Sequence, residues 1–169
     1  MYRDVAAVAK SYYRLSLFLP ALRLAYLYSF LYGRMTVNGI GLHCGRVDSH
    51  LTSGVLIWAV IMSDYLDTRR RGFDVRAVRY EALVTRPLDM CRVVLDYCRL
   101  PASLAQLAVR AFDVDSQRSS VLAKSVMGRF KEPQLTSHKK TRLNGLLMKY
   151  GMPLIGEPGI IEGTLSPSE

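Results

Sequence analysis

Residues 74–84, Asp-Val-Arg-Ala-Val-Arg-Tyr-Glu-Ala-Leu-Val, constrain the fold more than any other stretch of the chain. The run is short, rich in β-branched and aromatic residues, and set between two longer segments with helical periodicity. It is therefore predicted to be the strand of a helix, strand, helix unit. A strand bracketed by helices belongs in a mostly parallel sheet, because parallel neighbours need crossover helices to bring the chain back. The expectation is an α/β domain, helix-rich, with a partial three-layer parallel sheet and flanking helices.

A chain of 169 residues fits one domain with a substantial core. That domain is assigned to residues 1–152, and the Pro/Gly-rich stretch 153–169 is expected to have little to bury and a mobile end. Hydrophobic residues at 50% and charged residues at 22% exclude disordered and collagen-like classes. The net charge of +9 is compatible with plain solubility and with an anionic ligand. Three cysteines, Cys44, Cys91 and Cys98, are an odd number without metal-ligand spacing, which argues against a disulfide framework.

The first residues lack the basic start, apolar core and cleavage site of a signal peptide. Residues 15–32 are apolar over nearly a bilayer's thickness, but Pro20 interrupts them and Arg23 lies near their middle. A charge there costs about 2.5 to 3.5 kcal/mol on insertion scales, so a membrane span is not expected.

Residues 5–19 suit a helix with Asp4 as its cap, ended by Pro20, and 21–32 suit a second helical piece closed by Gly33. Residues 35–53, with Gly39, Gly41 and Gly45, are predicted as a loop, and His43, Cys44, Asp48 and His50 within it match no established zinc pattern. A helix over 54–71, capped by Thr52 or Ser53, ends in Arg69, Arg70 and Arg71 before Gly72, suitable for the negative end of a helix dipole. Pro87 opens a helix carrying Leu88, Cys91, Leu95 and Cys98, stopped before Pro101. A short helix carries Leu104, Leu107, Ala108 and Ala111. A basic stretch, 129–142, leads into a last helix over 140–150 with Leu143, Leu146 and Leu147 facing inward.

Arg3 lies where a strand gives way to a helix, and Ser11 follows the cap Asp4 by seven residues, two helical turns on and on the same face. A guanidinium and a hydroxyl so placed suit one anion, since the planar Arg fork holds phosphate oxygens at two points. Residues 2–13, Tyr-Arg-Asp-Val-Ala-Ala-Val-Ala-Lys-Ser-Tyr-Tyr, resemble the second cofactor motif of sulfotransferases. In that motif an Arg after a strand and a Ser on the next helix bind the 3′-phosphate of 3′-phosphoadenosine 5′-phosphosulfate (PAPS). Residues 78–84 with Pro87, a helix, Leu100 and Pro101 are similar to the family's Tyr-Glu-Asp-Leu strand and the helix after it. Asp115, Ser116, Gln117, Ser119, Ser120 and Leu122, and the late run 149–153, are similar to sulfotransferase-related proteins of animals. Ala82 and Arg86 depart from the acidic residues usual at those places.

The resemblance implies a P-loop sulfotransferase-like fold and transfer of a sulfuryl group from PAPS to a hydroxyl or amine acceptor. It implies Arg3 and Ser11, with the loop of Gln117, Arg118 and Ser119, as 3′-phosphate ligands for PAPS or adenosine 3′,5′-bisphosphate, and no metal. The phosphosulfate loop and the catalytic base are expected upstream of Met1, so the chain as written is expected to be inactive, and Tyr80 and Glu81 are read as positioning residues. The implied compartment is the cytoplasm or the Golgi lumen. The alternative is a basic interaction module that binds nucleic acid or an anionic membrane surface through Arg69, Arg70 and Arg71 and the stretch 131–142. Nucleic acid is the weaker of these partners, because no aromatic residues interleave with the basic runs.

Overall fold

The structure, a computed structural model, describes residues 1–18, 35–37, 40–42, 50–113, 128–129 and 131–167. Helix α1, Val5–Phe18, starts where its cap predicts. Asp4 Oδ1 accepts from the backbone N–H groups of Ala6 at 3.0 Å and Ala7 at 3.1 Å, which satisfies two donors of the first turn. Pro20 and residues 21–32 lie outside the described residues.

The predicted loop over 35–53 is corrected at both ends. Strands β1, Met35–Val37, and β2, Ile40–Leu42, pair antiparallel with Thr36 opposite Gly41. Asn38-Gly39 between them is a strong two-residue hairpin signal, and Thr36, Val37 and Ile40 favour extended backbone. Helix α2, His50–Arg70, begins four residues earlier than predicted, so Thr52 and Ser53 lie inside it. Leu51 is buried, and docking of this first turn on the core outweighs the capping preference of the two hydroxyl residues. At the other end Gly72, at φ 88°, sends its N–H to Arg69 O at 2.8 Å while the Phe73 N–H reaches Thr68 O at 3.4 Å. These two bonds close the helix in a left-handed cap.

The predicted strand over 74–84 is much shorter. Strand β3 is Ala77–Val78, and Tyr80–Thr85 forms helix α3. On one edge β3 pairs parallel with β4, Thr164–Leu165. On the other, Arg79 forms a parallel bridge with Tyr2: the Tyr2 N–H donates to Val78 O at 2.8 Å and the Tyr80 N–H to Tyr2 O at 2.7 Å. After Tyr2 the chain turns into α1, so backbone beyond Tyr80 has no extended partner there and closes its own bonds as a helix. Ala82 and Leu83 favour that state, and Glu81 in the first turn complements the dipole. The chain is thus helix-rich around a small parallel sheet.

Helix α4, Pro87–Tyr97, has Pro at its first turn as predicted, and its cap residue Arg86 offers no side-chain hydrogen bond. Its exit passes through Arg99 at φ 56°, exposed, with the Leu100 N–H on Leu95 O at 2.8 Å. A left-handed non-glycine residue costs about 1 to 2 kcal/mol, and glycine returns part of that as lost chain entropy. Arg99→Gly is therefore expected to raise the unfolding free energy by about 1 kcal/mol in urea titration. Helix α5, Ala105–Arg110, lies between the 3₁₀ turns Ala102–Leu104 and Ala111–Asp113, and helix α6 is Ser137–Lys149.

The stretch after 152 was expected to have little to bury, and it completes the sheet instead. Ile161 is buried, its N–H donates to Tyr2 Oη at 3.2 Å, and Tyr2 Oη lies 3.0 Å from Thr164 Oγ1. Glycine and proline density concealed this, because Gly156, Gly159 and Gly163 all take positive φ and make the turns that return the chain to β3. The core joins Tyr2, Val5 and Ala9 to Val55, Trp58, Ala59 and Met62 of α2, Leu143 and Leu147 of α6, Ala77, Met152 and Ile161. Leu146 packs against it half-buried, so all three predicted leucines of α6 turn inward.

Candidate functional site

Parallel strands that end in helices place their next residues at one edge of the sheet, and open α/β sheets bind ligands outside the carboxyl ends of their strands. Arg3 follows Tyr2 at that edge, and Arg79, Tyr80 and Glu81 follow Val78 beside it. The main chain at Arg3 is fixed, since Trp58 Nε1–H donates to Arg3 O at 2.8 Å. Its side chain is 46% exposed, with Nε 3.9 Å from Glu81 Oε1 and the guanidinium carbon 5.0 Å from the centre of the Tyr80 ring. The ring face attracts the cation, and the contact to Glu81 is too long for a hydrogen bond. Arg3 is therefore oriented without being saturated.

Glu81 is the hinge of this arrangement. Its Oε1 accepts the Asp4 N–H at 3.0 Å, and its Oε2 lies 3.4 Å from Arg79 Nε. Asp4 caps α1 with its side chain while Glu81 receives the cap residue's own N–H, the reciprocal role a capping box gives to a local Glu. One carboxylate thus ties the start of α1 to the start of α3.

Ser11 ends the second turn of α1, half-buried, about 10 Å along the axis from Asp4 and within about 20° of it around the helix. Arg3 makes its side-chain contacts with Tyr80 and Glu81 and none with Ser11, so the structure does not join the two. Gln117, Arg118 and Ser119 lie outside the described residues. Arg79 was missed in the sequence. The available signal was its place in the strand, directly before Tyr80 and Glu81, where an Arg at a strand's carboxyl end has the same standing as Arg3.

Other charged features resolve differently. Arg69 Nη1 donates to Val75 O at 2.8 Å and Arg69 Nη2 lies 3.6 Å from Glu162, while Arg70 pairs with Asp67 at 2.8 Å. Within the arginine run, Arg69 ties α2 to the approach to β3 and the turn into β4, whereas Arg70 makes an exposed pair within its own helix. Lys131, His138, Lys139 and Lys140 are exposed before and within the first turn of α6. Burial pushes the Cys91 thiol up, which keeps it protonated at neutral pH and unsuited to nucleophilic attack. Among the described residues no group of three His, Cys, Asp or Glu stands together as a metal site. His43, Cys44 and Asp48 lie outside them. No helix among the described residues is long and apolar enough to cross a membrane.

Comparison with protein-family models, with characterised proteins and with solved structures finds no match.

Proposed function

We propose that the carboxyl edge of the sheet binds the phosphate of a phosphorylated nucleoside, with Arg3 as its principal cation. On this reading the chain is a P-loop sulfotransferase-like α/β domain that supplies the 3′-phosphate half of a PAPS site. The observation that carries it is the state of Arg3: main chain anchored by Trp58, guanidinium braced on Tyr80, and almost half of the side chain open to solvent. A guanidinium held in place but not spent on a hydrogen bond is preorganised for an oxyanion. Ser11, in line with the cap two turns along α1, and the 117–119 loop are the further ligands this reading assigns. Sulfuryl transfer would draw its base and phosphosulfate loop from residues other than these, so binding is the activity that the described site supports.

Calorimetric titration with adenosine 3′,5′-bisphosphate tests it. Weak binding is expected, with Kd on the order of 0.1 to 1 mM, and Arg3→Ala should reduce the affinity at least about tenfold, the loss of one charge-assisted contact. Adenosine 5′-monophosphate, which lacks the 3′-phosphate, should bind more weakly than the bisphosphate. Tight binding that Arg3→Ala leaves intact would refute the assignment.

The alternative, a surface for polyanions, is supported by the exposed cations Lys131, before α6, and Lys139 and Lys140 in its first turn, where the helix dipole also favours anions. It is weakened by the engagement of Arg69 with Val75 O and Glu162.

A further inference from the structure

Arg79 is paired in a way that its surroundings do not complete. Its Nε is buried and makes no hydrogen bond, although Glu81 Oε2 lies 3.4 Å away. The side chain is nonetheless 27% exposed, so part of it reaches solvent at the same sheet edge as Arg3. Arg79 is the bridge partner of Tyr2 and Arg3 is one residue beyond Tyr2, so both lie at that edge. They meet at one carboxylate, Arg3 at Oε1 and Arg79 at Oε2.

Glu81 is the one carboxylate that both guanidinium groups face, and the neighbouring Asp4 carboxylate is engaged by the Ala6 and Ala7 N–H groups at the start of α1, so within this contact one positive charge is in excess. Glu81 cannot serve both cations well, because its Oε1 is already committed to the Asp4 N–H. A purely structural ion pair would be expected to close to hydrogen-bonding geometry, and neither arginine does so with Glu81. Arginine is suited to the missing partner: five donors in a plane, of which one edge can stay on Glu81 while the other takes phosphate oxygens.

We propose that Arg79 is a second cation of the phosphate site, held in place by Glu81, so that a phosphate monoester is taken in its doubly charged form between Arg3 and Arg79. This rests on the phosphate reading of Arg3 and adds to it a residue and a charge preference. A monoester loses its second proton near pH 6. Binding carried by two guanidinium groups should therefore strengthen as pH rises from about 5 to 7.5, over which the arginines do not titrate.

The probe is adenosine 3′,5′-bisphosphate, titrated into the full chain at pH 5.0, 6.0 and 7.5. The wild-type affinity is expected to rise several-fold across this range. Arg79→Gln should bind about tenfold more weakly at pH 7.5 and lose most of the pH dependence, and Arg79→Lys, which restores the charge without the planar fork, should recover the pH dependence and only part of the affinity. Binding of adenosine, which carries no phosphate, should be the same in all three proteins. Thermal melting is recorded in parallel. If Arg79→Gln melts earlier but, at temperatures where it is folded, binds the bisphosphate with wild-type affinity and pH profile, Arg79 is structural and the proposal is overturned. If Arg3→Ala weakens binding and Arg79→Gln does not, the phosphate reading of Arg3 stands and the role given to Arg79 fails. If neither substitution changes binding, both fail.

Discussion

Gly54→Val is expected to lower the unfolding free energy by about 3 kcal/mol, and Gly54→Ala by about 1 kcal/mol, with urea titration as the check. Gly54 lies in the second turn of α2, and a Cβ placed there would stand 2.8 Å from the Ala9 Cα and 3.0 Å from the Tyr12 Cβ of α1. Both contacts are with atoms that no rotamer change can move, so relief requires the two helices to part. Parting them opens the interface that buries Val5, Ala9, Val55, Trp58 and Ala59. Alanine recovers about 1 kcal/mol through its higher helix propensity, which is why its net effect is the smaller. Valine adds two methyl groups to the clash and recovers less. Ala9→Gly should not rescue either variant, since the atom in the way is the Ala9 Cα and glycine keeps it. A Gly54→Ala protein as stable as the parent, or rescue by Ala9→Gly, would show that the helices do not approach as closely as the structure places them.

The same contact shows why part of the fold was legible in sequence and part was not. Asp4 as a cap, Pro87 at a helix start, Gly72 and Gly151 at helix ends and Leu143, Leu146 and Leu147 on an inward face are local chemistry, and local chemistry is readable in order along the chain. Asn38-Gly39 was equally local and was outweighed by the glycine and polar content around it. Strand length is different in kind. Residues 74–84 have the composition of one strand, yet only Ala77, Val78 and Arg79 pair, because the partner on one edge is the single residue Tyr2 and on the other the short β4. How far a strand extends depends on neighbours that here lie 77 and 87 residues away in sequence. The stretch after 152 was misjudged for the same reason: a two-residue strand carries too little pattern to stand out among glycines and prolines. In the candidate site, Arg3 and Ser11 were paired in sequence through the cap, the helical repeat and the resemblance, and the structure gives Arg3 contacts with Tyr80 and Glu81 but none with Ser11. The join of Arg3, Arg79 and Glu81 was not legible, since it arises only when Tyr2 and Val78 lie side by side.

Gly163→Ala is expected to destabilise the protein by about 3 kcal/mol, and its cost should depend on Arg69. Two effects add. The backbone at Gly163 has φ 75°, where any side chain costs about 1 to 2 kcal/mol. A Cβ there would also fall 2.5 Å from the Arg69 Cζ, displacing the guanidinium. That group donates to Val75 O at 2.8 Å and lies 3.6 Å from Glu162, so moving it breaks the tie between the end of α2, the approach to β3 and the turn into β4. Leaving a partly buried carbonyl without its donor costs on the order of 1 to 2 kcal/mol more. The two origins separate in a double-mutant cycle. In an Arg69→Ala background the steric part has already been removed, so Gly163→Ala should cost only the backbone part, and the double variant should be more stable than the sum of the singles predicts by about 1 to 2 kcal/mol. Strict additivity would mean that Arg69 does not occupy the space above Gly163. The loss should also reach the sheet edge, because β4 is pinned to Tyr2 through Thr164, and Tyr2 leads directly into Arg3. Fraying of β4 in Gly163→Ala is therefore expected to weaken adenosine 3′,5′-bisphosphate binding along with stability, a link between the far end of the chain and the residue that begins the candidate site.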